Sequence, residues 1–294
     1  MKVYYALVKR EFLEHRGAFL YAPAVLLSIL FLATLLGAVF GDTYVKGNLP
    51  LANGSQLFKI LVAGIFSAWA VYLLIALFFY FSDSFSADRR NNSLLFWKSM
   101  PQSDLTILTS KALTALTVFP LAIALYALLT GILAYVVVSI GSYRLSFLDA
   151  PGIFEALGIW LQFEIAGIAY FLLSILWFAP FLAWVAGLST LFQRWSIPLA
   201  FLIPGVLVLL ESIASLGTPG TPQPIANYLS SRIEGIDANI DIFETLLKTP
   251  DYVPISLLND VWVDIRWFDM TTGLIFAVGM VYLASEYRRR RTAS

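Results

Sequence analysis

From Ile60 to Phe81 the chain carries no charged side chain on any face. A soluble helix buries one apolar stripe and turns a polar face to water. A helix that is apolar all round is covered only by lipid or by other apolar helices. About 20 such residues cross the hydrocarbon core of a bilayer, so this run alone predicts a membrane span. The rest of the chain is of the same kind. Hydrophobic residues make up 59% of the 294 and charged residues 13%, with a mean hydropathy of +0.79, whereas a soluble domain is nearer half apolar and a quarter charged. Apolar runs at roughly 19–41, 57–82, 105–139, 156–191, 197–216 and 268–286 predict six spans. The expected fold is an all-α integral membrane protein, with 1–294 a single transmembrane domain.

The third and fourth runs exceed one crossing and imply tilt or projection beyond the bilayer. Pro120, Pro180, Pro198 and Pro204 fall inside spans, where a lost backbone hydrogen bond kinks a helix and neighbouring helices tolerate it. The apolar stretch from Gly17 is too long for a signal-peptide core and no A-x-A-like site follows it, so it reads as a retained first span.

Net charge is zero, which excludes a generally basic nucleic-acid binder, and with no cysteine there is neither a disulfide framework nor a thiolate metal site. The placement of charge is informative. With both termini on the same side, 13 Lys and Arg fall on that side and 6 on the other, which the positive-inside rule assigns as cytoplasmic and outer. The tail Arg288–Arg291 follows the last span, where it is expected to anchor to anionic headgroups.

Residues 1–18 form the expected interfacial helix. Tyr4, Leu7, Val8, Glu11 and Phe12 bracket a helical stripe, with Lys9, Arg10 and Arg16 off it, the build of a basic amphipathic helix lying at the inner membrane surface. His15, the sole histidine, reads as an interfacial polar residue. The outer loop, 217–267, opens on a Gly/Pro-rich stretch that cannot be helix interior. Two or three short amphipathic helices are expected after it: Ile240, Phe243, Leu246 and Leu247 share one face, and Leu258, Val261, Trp262 and Ile265 another. We expect this acidic segment to cap the outer mouth of the spans.

Enzyme signatures are missing. There is no G-x-x-x-x-G-K-[ST] phosphate loop, no H-E-x-x-H and no G-x-S-x-G. Intramembrane carboxylates are costly and default to a functional role. Glu164, beside Gln162, and Glu211 are therefore candidates for a substrate route, with a place near the outer interface as the plain alternative.

The most informative segment is the loop at 83–104. Asn91-Asn92-Ser93 is a turn and cap signal, Ser93–Lys98 a short helix exposing Leu94, Phe96 and Trp97, Pro101 its stop, and Ser103 a cap for the third span. Exposed Leu, Phe and Trp need a cover, either the inner leaflet or a groove on a cytoplasmic partner.

This loop resembles the one after the second span in ABC-2 family permeases. Asp88 and Arg89 match an acidic-Arg pair, Ser93 and Leu94 a Thr-Leu, Pro101 the proline, and Ser103 and Lys111 a following Ser and Lys. Asn92 stands where Gly is usual and Leu95 where Glu is common, so a salt bridge made at that position in the family is not expected here. The entry helix with Lys9-Arg10-Glu11, the six spans and the extended loop before the last one fit the same architecture.

The resemblance implies a membrane-spanning subunit of an ATP-driven exporter in a bacterial inner membrane. Its short cytoplasmic helix would couple to a separate ABC ATPase subunit that binds ATP and Mg, and a second permease chain, identical or related, would complete the route. The coupling residues it implies are Asp88, Arg89, Ser93, Leu94, Leu95, Phe96, Trp97, Met100 and Pro101. Two other readings remain open: a non-transport assembly or signalling component docking a partner through this loop, and an intramembrane lipid enzyme using Glu164.

Overall fold

The computed structural model describes residues 2–40, 53–90, 103–144, 149–216, 223–236 and 241–293, and among them there is helix and no strand. The helices are α1 (Lys2–Glu14), α2 (Ala22–Phe40), α3 (Gly54–Arg90), α4 (Asp104–Arg144), α5 (Ile153–Phe192), α6 (Ser196–Ala214), α7 (Pro224–Ile233), α8 (Ile242–Lys248), α9 (Leu257–Asp264) and α10 (Trp267–Ala293). Five stretches are long and apolar enough to cross a membrane: Gly17–Gly37, Gly54–Ala87, Asp104–Tyr143, Ile153–Ala214 and Trp267–Arg290. This is the build of a multi-pass helical membrane protein. The fourth stretch holds both α5 and α6. Between them, Gln193–Trp195 form a 3-10 turn in which Gln193 takes a φ of 48°, a region that non-glycine residues seldom enter. Past the turn α6 doubles back on α5, with Trp184 Nε1 donating to the Ala200 carbonyl at 3.4 Å.

α3, α4 and α5 form the core. At 37, 41 and 40 residues they measure about 55–60 Å, roughly twice the hydrocarbon thickness of about 30 Å. α2 and α6, at 19 residues each, match one crossing. The flanking helices meet the long ones at different levels. Arg288, near the end of α10, meets Asp104 at the start of α4, whereas Leu20, just before α2, meets Tyr126 halfway along it. α3 runs on to Arg90, into the stretch expected as loop. No Gly or Pro falls between Asp83 and Arg90, and Phe81 and Phe85, one turn apart, are both buried.

Close helix contact rests on glycine. A Cβ on Gly167 of α5 would run into the Phe66 ring of α3, and one on Gly131 of α4 into the Trp160 indole of α5. Gly167→Ala is expected to cost about 1–3 kcal/mol through overpacking, seen as a lower thermal midpoint in detergent. Gly205→Ala, on the open face of α6, is expected to change it little.

α1 follows the first turns of α4. Leu7 packs on Ile107, Glu11 pairs with Lys111, and Phe19 stacks on Phe119 with ring centroids 3.7 Å apart. Contacts held at one constant offset mean that α1 lies lengthwise on α4. A π-helical turn, Gly17–Tyr21, joins it to α2. Such a turn displaces carbonyls from their usual intrahelical partners, and the Tyr72 and Tyr126 hydroxyls donate to Ala18 O at 2.5 Å and Leu20 O at 2.8 Å.

The segment between α6 and α10 folds into short helices, as its amphipathic pattern predicts. Leu246, Val261 and Ile265 are buried, while Phe243, Leu247 and Trp262 of the same expected faces are exposed; Ile240 lies outside the described residues. α8 docks on the first turns of α3. Gln56 Nε2 donates to Leu246 O and Leu247 O at 2.8 and 3.0 Å, and Lys59 Nζ to Pro250 O and Tyr252 O at 2.7 and 3.0 Å. A cation at a helix C-terminus also complements the helix dipole. Burial, together with its hydrogen bond to Asp260 at 2.7 Å, pushes the Tyr252 phenol up to about 12, so it stays a donor at neutral pH.

Candidate functional site

Among the described residues, buried charged side chains gather where α1, the end of α3, the start of α4 and the end of α10 converge; we call this the basal end. α1 brings Glu11 on its apolar stripe, because that stripe packs on α4. α4 answers with Lys111, two turns after its start at Asp104. Both residues are almost fully buried and Nζ lies 3.5 Å from Oε1. The Tyr80 hydroxyl is 3.0 Å from the same Oε1 and 3.2 Å from Lys111 O, while Lys111 Nζ donates to Ser84 O at 2.7 Å. His15 completes the group: its Nδ1 is 3.1 Å from Glu11 O, and its ring meets Tyr80 edge-on at 4.7 Å.

A second pair lies beside the first. Arg288 of α10 is buried, its Nη1 donates to Phe85 O at 3.2 Å, and its Nε stands 3.3 Å from Asp104 Oδ1. At the start of α6, Ser196 donates to Ser82 O at 3.1 Å. The carbonyls of Ser82, Ser84 and Phe85, near the end of α3, thus each accept a bond from a different helix. A carbonyl has two lone pairs and can take this second bond, and a helix end of negative polarity favours the two cations.

Glu11 thus pairs with Lys111, and Asp104 with Arg288. A buried ion pair of this kind is held by its geometry, and removing one partner strands the other. Among the described residues Glu11, Glu14 and His15 are the one group of three whose ligating atoms lie within 4.8 Å of one another. Lys111 and Arg10, which is 2.7 Å from Glu14, already answer the two carboxylates. The set is therefore an ion-pair cluster rather than a metal cage.

The other residues singled out from the sequence fall in different places. Lys9 is exposed, and Phe12 is half-buried against the core. Asp88 and Arg89 belong to the last turn of α3 by their backbone, but their side chains lie outside the described residues, as do Ser93, Leu94, Leu95, Phe96, Trp97, Met100 and Pro101 altogether. α3 and α4, which bracket that segment, carry the Lys111–Ser84 and Arg288 contacts, together the basal clasp, on their adjoining turns.

Glu164 is buried on α5, between Trp160, which abuts Gly131, and Gly167, which abuts Phe66. Its Oε2 and the Oε1 of Gln162 have no hydrogen-bond partner among the described residues. Glu211 is not gathered with them. Its carboxylate accepts from Ile225 N and Ala226 N at 2.9 and 2.8 Å, capping the start of α7.

The sequence reading passed over Tyr80, Ser84 and Asp104 and took Arg288 for a headgroup anchor. Arg288 is buried, while Arg289 and Arg290 are exposed and pair with Glu286. Position 288 follows Ala284, also buried, by one turn, and that spacing is the signal that separates it from its neighbours. Arg232, counted as a loop charge, is fully buried against Trp177. No protein-family model, curated protein or solved structure matches the chain.

Proposed function

We propose that this chain is the membrane-spanning subunit of an ATP-driven exporter of the ABC-2 type, with ATP and Mg bound by a separate ATPase subunit. The observation that carries the reading is the basal clasp. The segment 91–102, which holds the expected coupling helix, hangs between the end of α3 and the start of α4. Those two helix ends are joined to each other by Lys111 and Ser84, and to α10 by Arg288, Phe85 and Asp104. A push delivered to the segment by a partner reaches three helices as one body, the kind of rigid-body change that a packed interface supports.

In this reading α5 and α6 are separate crossings, which makes six, and the basal end faces the cytoplasm with both termini, as the Lys and Arg distribution favours. A second permease chain completes the route, the membrane is a bacterial inner membrane, and Asp88, Arg89 and Leu94 are the contact residues we single out for the ATPase.

The test is to isolate the tagged chain from its native membrane in mild detergent and assay the eluate for ATPase. A stoichiometric ATPase is expected, and it should be lost on charge reversal of Asp88 and Arg89 or on Leu94→Asp. An eluate without ATPase sinks the exporter reading and favours an assembly component.

A further inference from the structure

Two adjoining cavities, of about 450 Å³ and 330 Å³, lie between α5 and α6 beneath α7. They lie side by side, with Phe181, Trp184, Pro204 and Leu229 in both walls, and together make up a cleft whose two parts are each within the range of pockets that hold small ligands. The cleft opens among helices apolar enough to span a membrane. The medium that meets it there is hydrocarbon.

The cleft has a largely apolar lining, with charge behind one wall. Tyr228 lines it, and the Arg232 guanidinium lies 5.4 Å from the Tyr228 ring and 4.3 Å over that of Trp177. Pro180, also in the wall, and Arg232 together crowd the space where a Cβ on Gly273 would go. Arg232 is fully buried and donates to two backbone carbonyls, Trp177 O at 2.9 Å and Asp269 O. Among the described residues no carboxylate stands within ion-pair distance of it, and its Nε has no hydrogen-bond partner. Arg266 approaches the same indole at 5.2 Å, with its side chain 42% exposed and Asp269 3.7 Å from its Nε. Two guanidinium groups and one carboxylate therefore surround Trp177. A buried cation held by carbonyls alone lacks the counter-charge that low-dielectric surroundings demand.

We propose that the cleft binds an anionic lipid of the surrounding bilayer, its acyl chain between α5 and α6 and its phosphate beside the part-exposed Arg266, with the buried Arg232 adding positive field from behind. Phosphate suits a guanidinium fork, which offers paired donors along with charge. The site needs neither an ATPase partner nor transport, so it stands apart from the exporter reading.

The test uses the full chain purified in detergent. Its thermal midpoint is followed while dioleoyl-phosphatidylglycerol or dioleoyl-phosphatidylcholine is added, two lipids with the same chains and different head charge. Half-maximal stabilisation is expected at a phosphatidylglycerol concentration at least about fivefold below that for phosphatidylcholine. Arg266→Gln should bring the two together by weakening phosphatidylglycerol alone. Leu229→Trp, which fills the cleft from α7, should weaken both; if that variant does not fold, Leu207→Trp fills it from α6. Equal half-saturation by the two lipids in the unmodified chain overturns the proposal. So does a preference that survives Arg266→Gln, or binding unchanged by the filled cleft.

Discussion

Lys111→Met is expected to lower the unfolding free energy by about 3–5 kcal/mol, because it leaves the buried Glu11 carboxylate without its cation. The Ser84 carbonyl loses a charged donor in the same step. The double replacement Glu11→Leu with Lys111→Met should recover most of that loss, since two apolar side chains of similar size need no partner. Thermal midpoints of the single and double variants in detergent decide the matter. If the double variant is as unstable as Lys111→Met alone, the pair is not what holds α1 to α4. A separate readout tests the mechanical role. In the exporter proposed above, the double variant reconstituted with the proposed ATPase subunit should move less substrate per ATP hydrolysed than the unaltered chain, because the tie across α1, α3 and α4 has gone while the helices remain.

Arg232→Met is the second large effect, about 3–5 kcal/mol, because relief of the buried cation's desolvation cost offsets part of what its contacts contribute. Hydrogen bonds from a charged donor are worth about 1.5–3 kcal/mol each, and a desolvated cation–π contact adds about 2. The methionine would leave Trp177 O and Asp269 O without this donor at the end of α7. Arg232→Lys should restore little, because a point-like ammonium cannot stack on Trp177 and reach both carbonyls with the same fork. Arg266→Met is the control. Its side chain is part-exposed and its pairing with Asp269 is at the surface, so a change under about 1 kcal/mol is expected. Comparable losses at the two positions would contradict the burial argument.

Much of this fold is written in the chain, and the parts that are not share a cause. The long apolar helices could be placed because uniform apolarity over 20 or more residues has few other physical solutions. The short helices after α6 could be placed from turn chemistry and period. Which charged residues turn inward was not legible. Glu11 sat on the apolar stripe of α1, a sign that it is buried, but its partner is 100 positions away and only the lengthwise packing of α1 on α4 brings them together. Arg288 reads as one of four identical residues; a single helical register buries it and exposes the next two. Glu211 has an intramembrane look in sequence, and its use as a cap emerges only when α7 folds back to present Ile225 N and Ala226 N. Long-range pairing is the information that local pattern lacks.

Of the three long helices, α3 alone contains no proline; α4 carries Pro120 and α5 carries Pro180. It is also gripped at both extremities, by Lys111, Arg288 and Ser196 on its carbonyls at the base and, at the far end, by α8 on Gln56 and by the turn after α8 on Lys59. A helix without a kink resists bending, so α3 behaves as a lever with two loaded ends. Over its length of about 55 Å, each degree of tilt at the base displaces the far end by about 1 Å. A rotation of a few degrees would then exceed the slack of the hydrogen bonds that seat α8, and the two faces of the molecule cannot settle independently of each other.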